Sequence, residues 1–300
     1  MDFIDFSKIY SYSKLGLFEK CPKSYHFTYL DEVYSKMKSE LKRDPSNIWP
    51  FYIIGRSVHD AITLFFYLPE DEKTAENLKE QLKLTWKSEA MPQKIPPLGK
   101  WGGFKDLEEE RQYYRQALEM LANFFKTLGL SLSRKHKKLK IKYLPTKDLA
   151  RSIEDYKNLI RPISGNFDIS GKFDLIISAD DDLSVVDFKT SKSEDYNNFQ
   201  LQFYKLLAEL NFKLPVNKAS FYYLSTGNIK EFDLAKSDSE KIKKEVLKKI
   251  DKIQACKDFK PKPSKLCQYC IFRTFCPAKK EVSQYIDLPK DQDFSEDLPF

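Results

Sequence analysis

Three hundred residues with 41% hydrophobic content can build one large domain or two ordinary ones around a real core. Met1 to Tyr10 mix Asp, Lys and aromatics, which excludes a signal-peptide core. Phe51 to Leu68 is broken by Gly55, Arg56, His59 and Asp60, so no run is apolar enough to span a bilayer. Those two absences predict a soluble, cytoplasmic chain; lysine and arginine total 51 against 44 acids, a net charge of +7, too modest to identify a nucleic-acid partner by itself.

In chain order, Ser13 to Leu30 reads as helical. Leu15, Leu17, Phe18, Tyr25, Phe27 and Tyr29 surround Cys21, and Pro22 marks a first helical turn or a break. Tyr52 to Leu68 is a second helix, with Ile54, Val58, Ile62, Phe65 and Phe66 near helical spacing and His59 beside Val58. Pro69 to Phe104 reads as peripheral and partly helical, closing in a Pro-rich loop from Met91 to Trp101. Lys105 to Leu130 is a long helix carrying Leu107, Tyr114, Leu118, Leu121 and Phe125. Residues 69–130 are therefore expected to be a helical insertion, because sheet signals begin only after them.

A basic run follows, with Arg134, Lys135, Lys137, Lys138, Lys140 and Lys142. It is either a solvated face or a nucleic-acid contact, and Arg134, Lys135, Lys137 and Lys138 are the candidates for the latter. Strands are expected at Leu139–Leu144, Leu159–Ile169, Lys172–Ile177, Leu183–Phe188, Ala219–Leu224 and Ile229–Phe232. The short polar link Ser178 to Asp182 makes the third and fourth an antiparallel hairpin. Asn197–Asn211 is helical, as is the lysine-rich Ser239–Ala255, with Ile242, Val246, Ile250 and Ile253 on one face. Pro261 and Pro263 then lead into a cysteine-rich loop, and the tail after Lys280 has few packing residues.

Chemistry concentrates in two places. Val185 and Val186 carry a strand through the core, and Asp187-Phe188-Lys189 follows. Residues two apart share a strand face, so Asp187 and Lys189 point together while Phe188 points away. If the preceding strand pairs with this one, Asp174 joins them, giving two carboxylates and an ammonium at one sheet end. Such a group suits phosphodiester hydrolysis with Mg²⁺ or Mn²⁺. An isolated D-x-K tripeptide is more often a surface pair, so the case rests on its company. The second place is Cys267-x2-Cys270-x5-Cys276, three soft ligands in one loop, which suit either tetrahedral zinc or an iron–sulfur cluster. Cys256 is a small buried hydrophobe on this reading.

Five segments in order carry a resemblance: Ser11-Tyr12-Ser13 through Cys21-Pro22, Gly55 to Ile62 with His59, Gly171 to Asp174, Asp187-Phe188-Lys189, and Gln200-Leu201-Gln202-Phe203-Tyr204. Together with the cysteine loop they resemble the RecB-like PD-(D/E)XK nucleases, especially CRISPR-associated exonucleases and AddB-type nucleases that carry a cluster. The resemblance covers most of the chain outside residues 69–130. It implies an α/β, restriction-endonuclease-like fold with a central mixed sheet flanked by helices. One nuclease domain would span 1–280, with cluster-binding segments near 21 and 264–277, and 281–300 would be an acidic flexible tail.

It further implies that His59, Asp174, Asp187 and the Phe188 carbonyl bind Mg²⁺ or Mn²⁺, and that Lys189 is the catalytic lysine. Gln200 and Tyr204, four apart on a helix, would face the same site. Alone, His59 would read as a core histidine, Tyr204 as packing and Gln200 as exposed. Cys21 with Cys267, Cys270 and Cys276 would hold a [4Fe–4S] cluster. The implied substrate is DNA, at ends or as single strands, with a helicase or CRISPR adaptation proteins as partners. A non-catalytic DNA-binding scaffold subunit is the competing reading, and a zinc-stapled interaction module is a third. Many relatives place an acid on an earlier strand, whereas Leu139 to Leu144 offers lysines and a tyrosine, so a second metal position does not follow.

Overall fold

The computed structural model describes residues 4–129, 139–148, 152–179, 181–191 and 198–286. The elements are β1 (Ile9–Tyr10), α1 (Tyr12–Lys20), α2 (Pro22–Tyr29), α3 (Glu32–Arg43), α4 (Pro50–Phe66), α5 (Ala75–Thr85), α6 (Leu107–Phe124), β2 (Leu139–Tyr143), α7 (Ser152–Asn158), β3 (Arg161–Pro162), β4 (Asp168–Ile169), β5 (Leu175–Ala179), β6 (Asp182–Lys189), α8 (Phe199–Phe212), β7 (Val216–Tyr223), β8 (Asn228–Asp233), α9 (Ser239–Gln254) and α10 (Lys279–Ile286). No described helix is long and apolar enough to cross a membrane.

A five-stranded mixed sheet runs in the order β2-β5-β6-β7-β8. Pairing is antiparallel except between β6 and β7, which are parallel and joined by the crossover helix α8. The expected hairpin is present: Ile177 sits opposite Ser184, and Ala179 opposite Asp182. A smaller sheet, β1-β4-β3, brings the N-terminus in parallel against β4. This is the α/β architecture expected of a restriction-endonuclease-like fold.

Strand alternation divides the core. From β6, Leu183 and Val185 face one layer, with Leu201, Leu206, Ile242, Val246 and Leu15, while Val186 and Phe188 face the other, with Ile54, Val58, Leu82, Leu121 and Phe124. Both faces are thus covered, as a sheet with a parallel pair at its centre requires.

Three expectations change here. Pro69–Phe104, expected to be peripheral, is packed into the core, because α5 together with α6 buries Leu78, Leu82, Ala117, Met120 and Phe124 against α4 and the second sheet face. Amphipathic periodicity shows that a helix has an apolar side but not which surface it covers. The long strand expected at Leu159–Ile169 is instead the pair β3 and β4, two residues each. Ser164-Gly165-Asn166 turns the chain between them, with Ile163 N and Ser164 N donating to the Phe167 carbonyl. The boundary of the expected acidic tail also moves: 281–286 belong to α10, whose Val282 is buried, and 287–300 lie outside the described residues.

Caps account for where helices begin. Ser11 Oγ accepts from Lys14 N at the start of α1, and Asp31 accepts from Val33 N and Tyr34 N at the start of α3. Cys21 both ends α1 and caps α2, its sulfur 3.5 Å from Ser24 N, with Pro22 in the first turn of α2. The loop from Trp86 to Phe104 is fixed by the buried Glu110 carboxylate, which accepts from Trp86 Nε1 at 3.2 Å, Leu98 N at 2.8 Å and Gly99 N at 2.9 Å. Gly103, with φ +77°, lies so close to the Ile48 carbonyl that an added Cβ would sit 2.4 Å from it, which locks this loop to the entrance of α4.

Glu110→Ala strands those three donors, two of them from backbone. The expected loss of stability is about 2–4 kcal/mol in urea unfolding, and Glu110→Gln should recover part of it. A variant within about 0.5 kcal/mol of wild type would show that the loop is held by apolar packing alone.

Candidate active site

The functional side chains meet where β6 ends. Because alternate residues share a face, Asp187 and Lys189 emerge on the α8 side, and the Phe188 ring packs on the α4 side against Phe124 and Tyr222. Asp187 is only 5% exposed. Its Oδ1 accepts from Gln200 Nε2 at 3.1 Å, and Lys189 Nζ approaches its Oδ2 to 3.0 Å. Lys189 Nζ also donates to Gln200 Oε1 at 2.9 Å, so one amide holds both the acid and the lysine. The Tyr204 hydroxyl is 3.4 Å from Gln200 Nε2, one helical turn further along α8.

From the opposite side of the sheet, α4 delivers His59. Its Nδ1 lies 3.0 Å from Asp174 Oδ1, while Asp174 Oδ2 accepts from Phe188 N at 2.8 Å. Asp174 therefore bridges the helix and the strand end. The close seating of α4 depends on Gly55, whose position leaves 3.3 Å between an added Cβ and Thr190 Oγ1. Asp174, Asp187, Lys189, Gln200, Tyr204 and His59 thus come together, as the pattern predicts. The Phe188 main chain joins them through its N–H.

The carboxylates are electrostatically unequal. Burial works to raise the pKa of Asp174, but the charge and hydrogen bond of His59, the Phe188 N–H and Lys189 outweigh it and hold the pKa below the ordinary carboxylate value. For Asp187, burial and the nearby Asp174 charge win over Lys189, and its pKa is raised. Burial lowers the His59 pKa, yet the Asp174 charge and hydrogen bond, with Asp187 and Asp60, carry it above the usual imidazole range. Burial and the two carboxylates keep Tyr204 firmly neutral.

Among the described residues, no group of three or more His, Cys, Asp or Glu side chains stands ready as a metal cage. The donor set nevertheless suits a hard cation. Among the described residues, buried Asp187 Oδ2 is approached by the ion-paired Lys189 and has no further hydrogen-bond partner. The direct His59–Asp174 contact would have to part for the two to share a cation.

The four cysteines singled out above gather at the other end of the same space. Burial raises the Cys267 thiol pKa, with Cys21 and Cys276 adding to the effect. Burial pushes Cys270 up to about 11, with Cys21 and Cys267 contributing. Backbone donors already serve this group: Ser264 N lies 3.3 Å from Cys267 Sγ, and Ser24 N approaches Cys21 Sγ. Cys256 is apart from them, its sulfur 3.6 Å from the Asp258 carbonyl. Partly buried thiols with raised pKa, as at Cys267 and Cys270, beside two more cysteines are a donor set that a soft metal centre would suit.

One cleft of about 880 Å³ opens onto both the carboxylate group and all four cysteines. It also exposes residues the sequence reading passed over. Arg56, one turn before His59 on α4, pairs with Asp60 at 3.5 Å and Glu89 at 3.0 Å. Its three-residue spacing from His59 is the signal that puts it on the same helix face. Arg134, Lys135, Lys137 and Lys138 lie outside the described residues.

The arrangement of two acids and a lysine at a strand end, served by a glutamine from the crossover helix, is that of a known nuclease class. The family profile of the PD-(D/E)XK nuclease superfamily matches residues 9–277, and this chain belongs to that superfamily. Its members are nucleases and generally use divalent metals. No curated protein matches the chain individually.

The His59–Asp174 pair has a defined pH dependence. Its contribution to stability is full below the ordinary histidine pKa and fades as pH rises through the raised value; on the acid side it is lost as Asp174 protonates. Asp174→Asn leaves burial as the dominant influence, so the His59 midpoint, followed by NMR among the three histidines, should fall below its wild-type position. An unmoved midpoint would show that the contact does not govern His59.

Proposed function

We propose that this protein is a RecB-like, Mg²⁺- or Mn²⁺-dependent DNA nuclease, acting as an exonuclease on ends or single strands, with a structural [4Fe–4S] cluster. The observation that carries the reading is the joint grip of Gln200 on Asp187 and Lys189 at the end of β6. Asp174, Asp187, His59 and the Phe188 carbonyl would hold the cation. When bound, it supplies charge that polarises phosphoryl oxygens and eases ionisation of water.

The chain's own groups do the rest. Lys189 orients the attacking water and offsets charge that grows on the phosphoryl oxygens. Gln200 fixes the lysine against the acid it serves, and Tyr204 supports Gln200 without ionising. The partly exposed Asp174 and His59 face the cleft from which a strand would enter. A scaffold subunit without activity would leave this buried charge group without a task.

Lys189→Ala should lower the cleavage rate by about 10²–10³ while DNA binding survives. Asp174→Ala and Asp187→Ala should each abolish activity in both metals and weaken calorimetric metal binding. Cleavage by Lys189→Ala within a few-fold of wild type would remove the assignment, as would unchanged metal affinity in both Asp variants.

For the cluster, Cys21, Cys267, Cys270 and Cys276 are the proposed ligands. Protein prepared without oxygen should be brown and carry about four irons per chain. Cys21→Ser should bleach it and lower its melting temperature, because the centre closes most of the chain into one loop. Cys256→Ser should change neither. A colourless protein with one zinc per chain would replace the cluster by a zinc staple, whereas colour that depends on Cys256 would break the ligand assignment.

A further inference from the structure

The cleft is electrically divided. Among the described residues its carboxylates, Asp60, Glu89, Asp174 and Asp187, come from α4, the loop after α5, and the region of β5 and β6. The wall built by α1, α2, α3 and the cysteine loop contributes cations and no acid. Within that wall α3 is unusual, because it buries none of its own residues. It packs through Tyr34 on Phe27 and Phe272, and that contact leaves Lys38 and Lys42 to the cleft.

Lys38 and Lys42 of α3, one helical turn apart, both line the cleft. Among the described residues neither forms an ion pair or hydrogen bond with a carboxylate. Lys38 Nζ instead rests 5.1 Å from the centre of the Tyr29 ring, a contact that fixes the ammonium without neutralising it. Burial depresses the Lys38 pKa to about 8, and the adjacent Lys42 adds to the effect. A partly dehydrated ammonium with a second, exposed lysine one helical turn away is a standing cost that an anion between them would relieve.

We infer that Lys38 and Lys42 form a phosphate clamp that grips the backbone of a nucleic-acid strand at the cationic end of the cleft, away from the carboxylate group. The source of the phosphate rests on the nuclease reading above. A strand suits the site better than a small anion does, since the same open space continues from these lysines to Asp187 and a repeating phosphate chain can occupy both ends. Tyr29 acts as a positioning residue for Lys38.

The test uses the full chain and a fluorescein-labelled single-stranded oligodeoxynucleotide longer than the cleft, in EDTA, with anisotropy followed across a potassium chloride series. Lys38→Ala/Lys42→Ala should bind more weakly, and the slope of log affinity against log salt should shrink by about 1.4, the value for two single-strand phosphates. Lys36→Ala/Arg43→Ala removes the same charge from parts of α3 that do not line the cleft, and should leave the slope unchanged. Lys38→Arg/Lys42→Arg should retain wild-type binding. Equal losses in both alanine pairs would reduce the effect to net charge and overturn the clamp, as would an unchanged slope in the first pair or a wild-type chain that binds no strand. Since binding alone is read, a chain that holds the strand but never hydrolyses it would remove the nuclease reading and leave the clamp standing.

Discussion

A buried carboxylate is the constraint on which the rest of this structure depends. Asp187 sits at the end of the central strand of the sheet, where leaving its charge unaccompanied would cost several kcal/mol. Lys189 and Gln200 answer that charge, while the neighbouring Asp174 opposes it. Lys189 emerges from the same strand face, Gln200 bridges acid and amine, and Asp174 is kept ionised at a distance by His59 and a backbone N–H. The group is satisfied enough to persist and incomplete enough, at Asp187 Oδ2, to accept something more.

The two-sided core makes this arrangement possible. Because β6 and β7 run parallel, α8 must cross one face of the sheet, and that crossing carries Gln200 and Tyr204 to the strand end. The other face needs its own cover, and α4 with α5 and α6 provides it, bringing His59. The site lies where the two layers meet, so its residues come from elements far apart in sequence. The Tyr222 hydroxyl, which donates to the Asn123 carbonyl at 2.7 Å, ties the second layer to the sheet directly behind Phe188.

Much of this was legible in the residues. Val185-Val186 followed by Asp187-Phe188-Lys189 specifies which side chains share a face, and the spacing of Gln200 and Tyr204 specifies a helix face. What escaped depends on tertiary contacts. The helix α3 packs only half-buried residues such as Tyr34, and Lys38 and Lys42 look like surface lysines until the cleft is seen around them. Leu159 to Ile169 has the composition of a strand, but Pro162 and the Ser164-Gly165-Asn166 turn confine pairing to two residues on each side. Glu110 reads as one acid of a charged first helical turn, yet it is a buried anchor for backbone groups some ten residues upstream.

The seating of the N-terminal segment has a consequence for how the chain is made. β1 pairs with β4, the Tyr10 hydroxyl accepts from Gln254 Nε2 across 244 positions, and Glu19 meets Lys249 and Lys262. On a ribosome, residues 9–30 emerge long before any of these partners exist. Their apolar sides, Leu15, Tyr25 and Phe27, must wait in water until the far end of the chain arrives. This segment is thus made well before the contacts that secure it, and a nascent chain released before residue 254 would present those surfaces to whatever folding helpers or proteases are at hand.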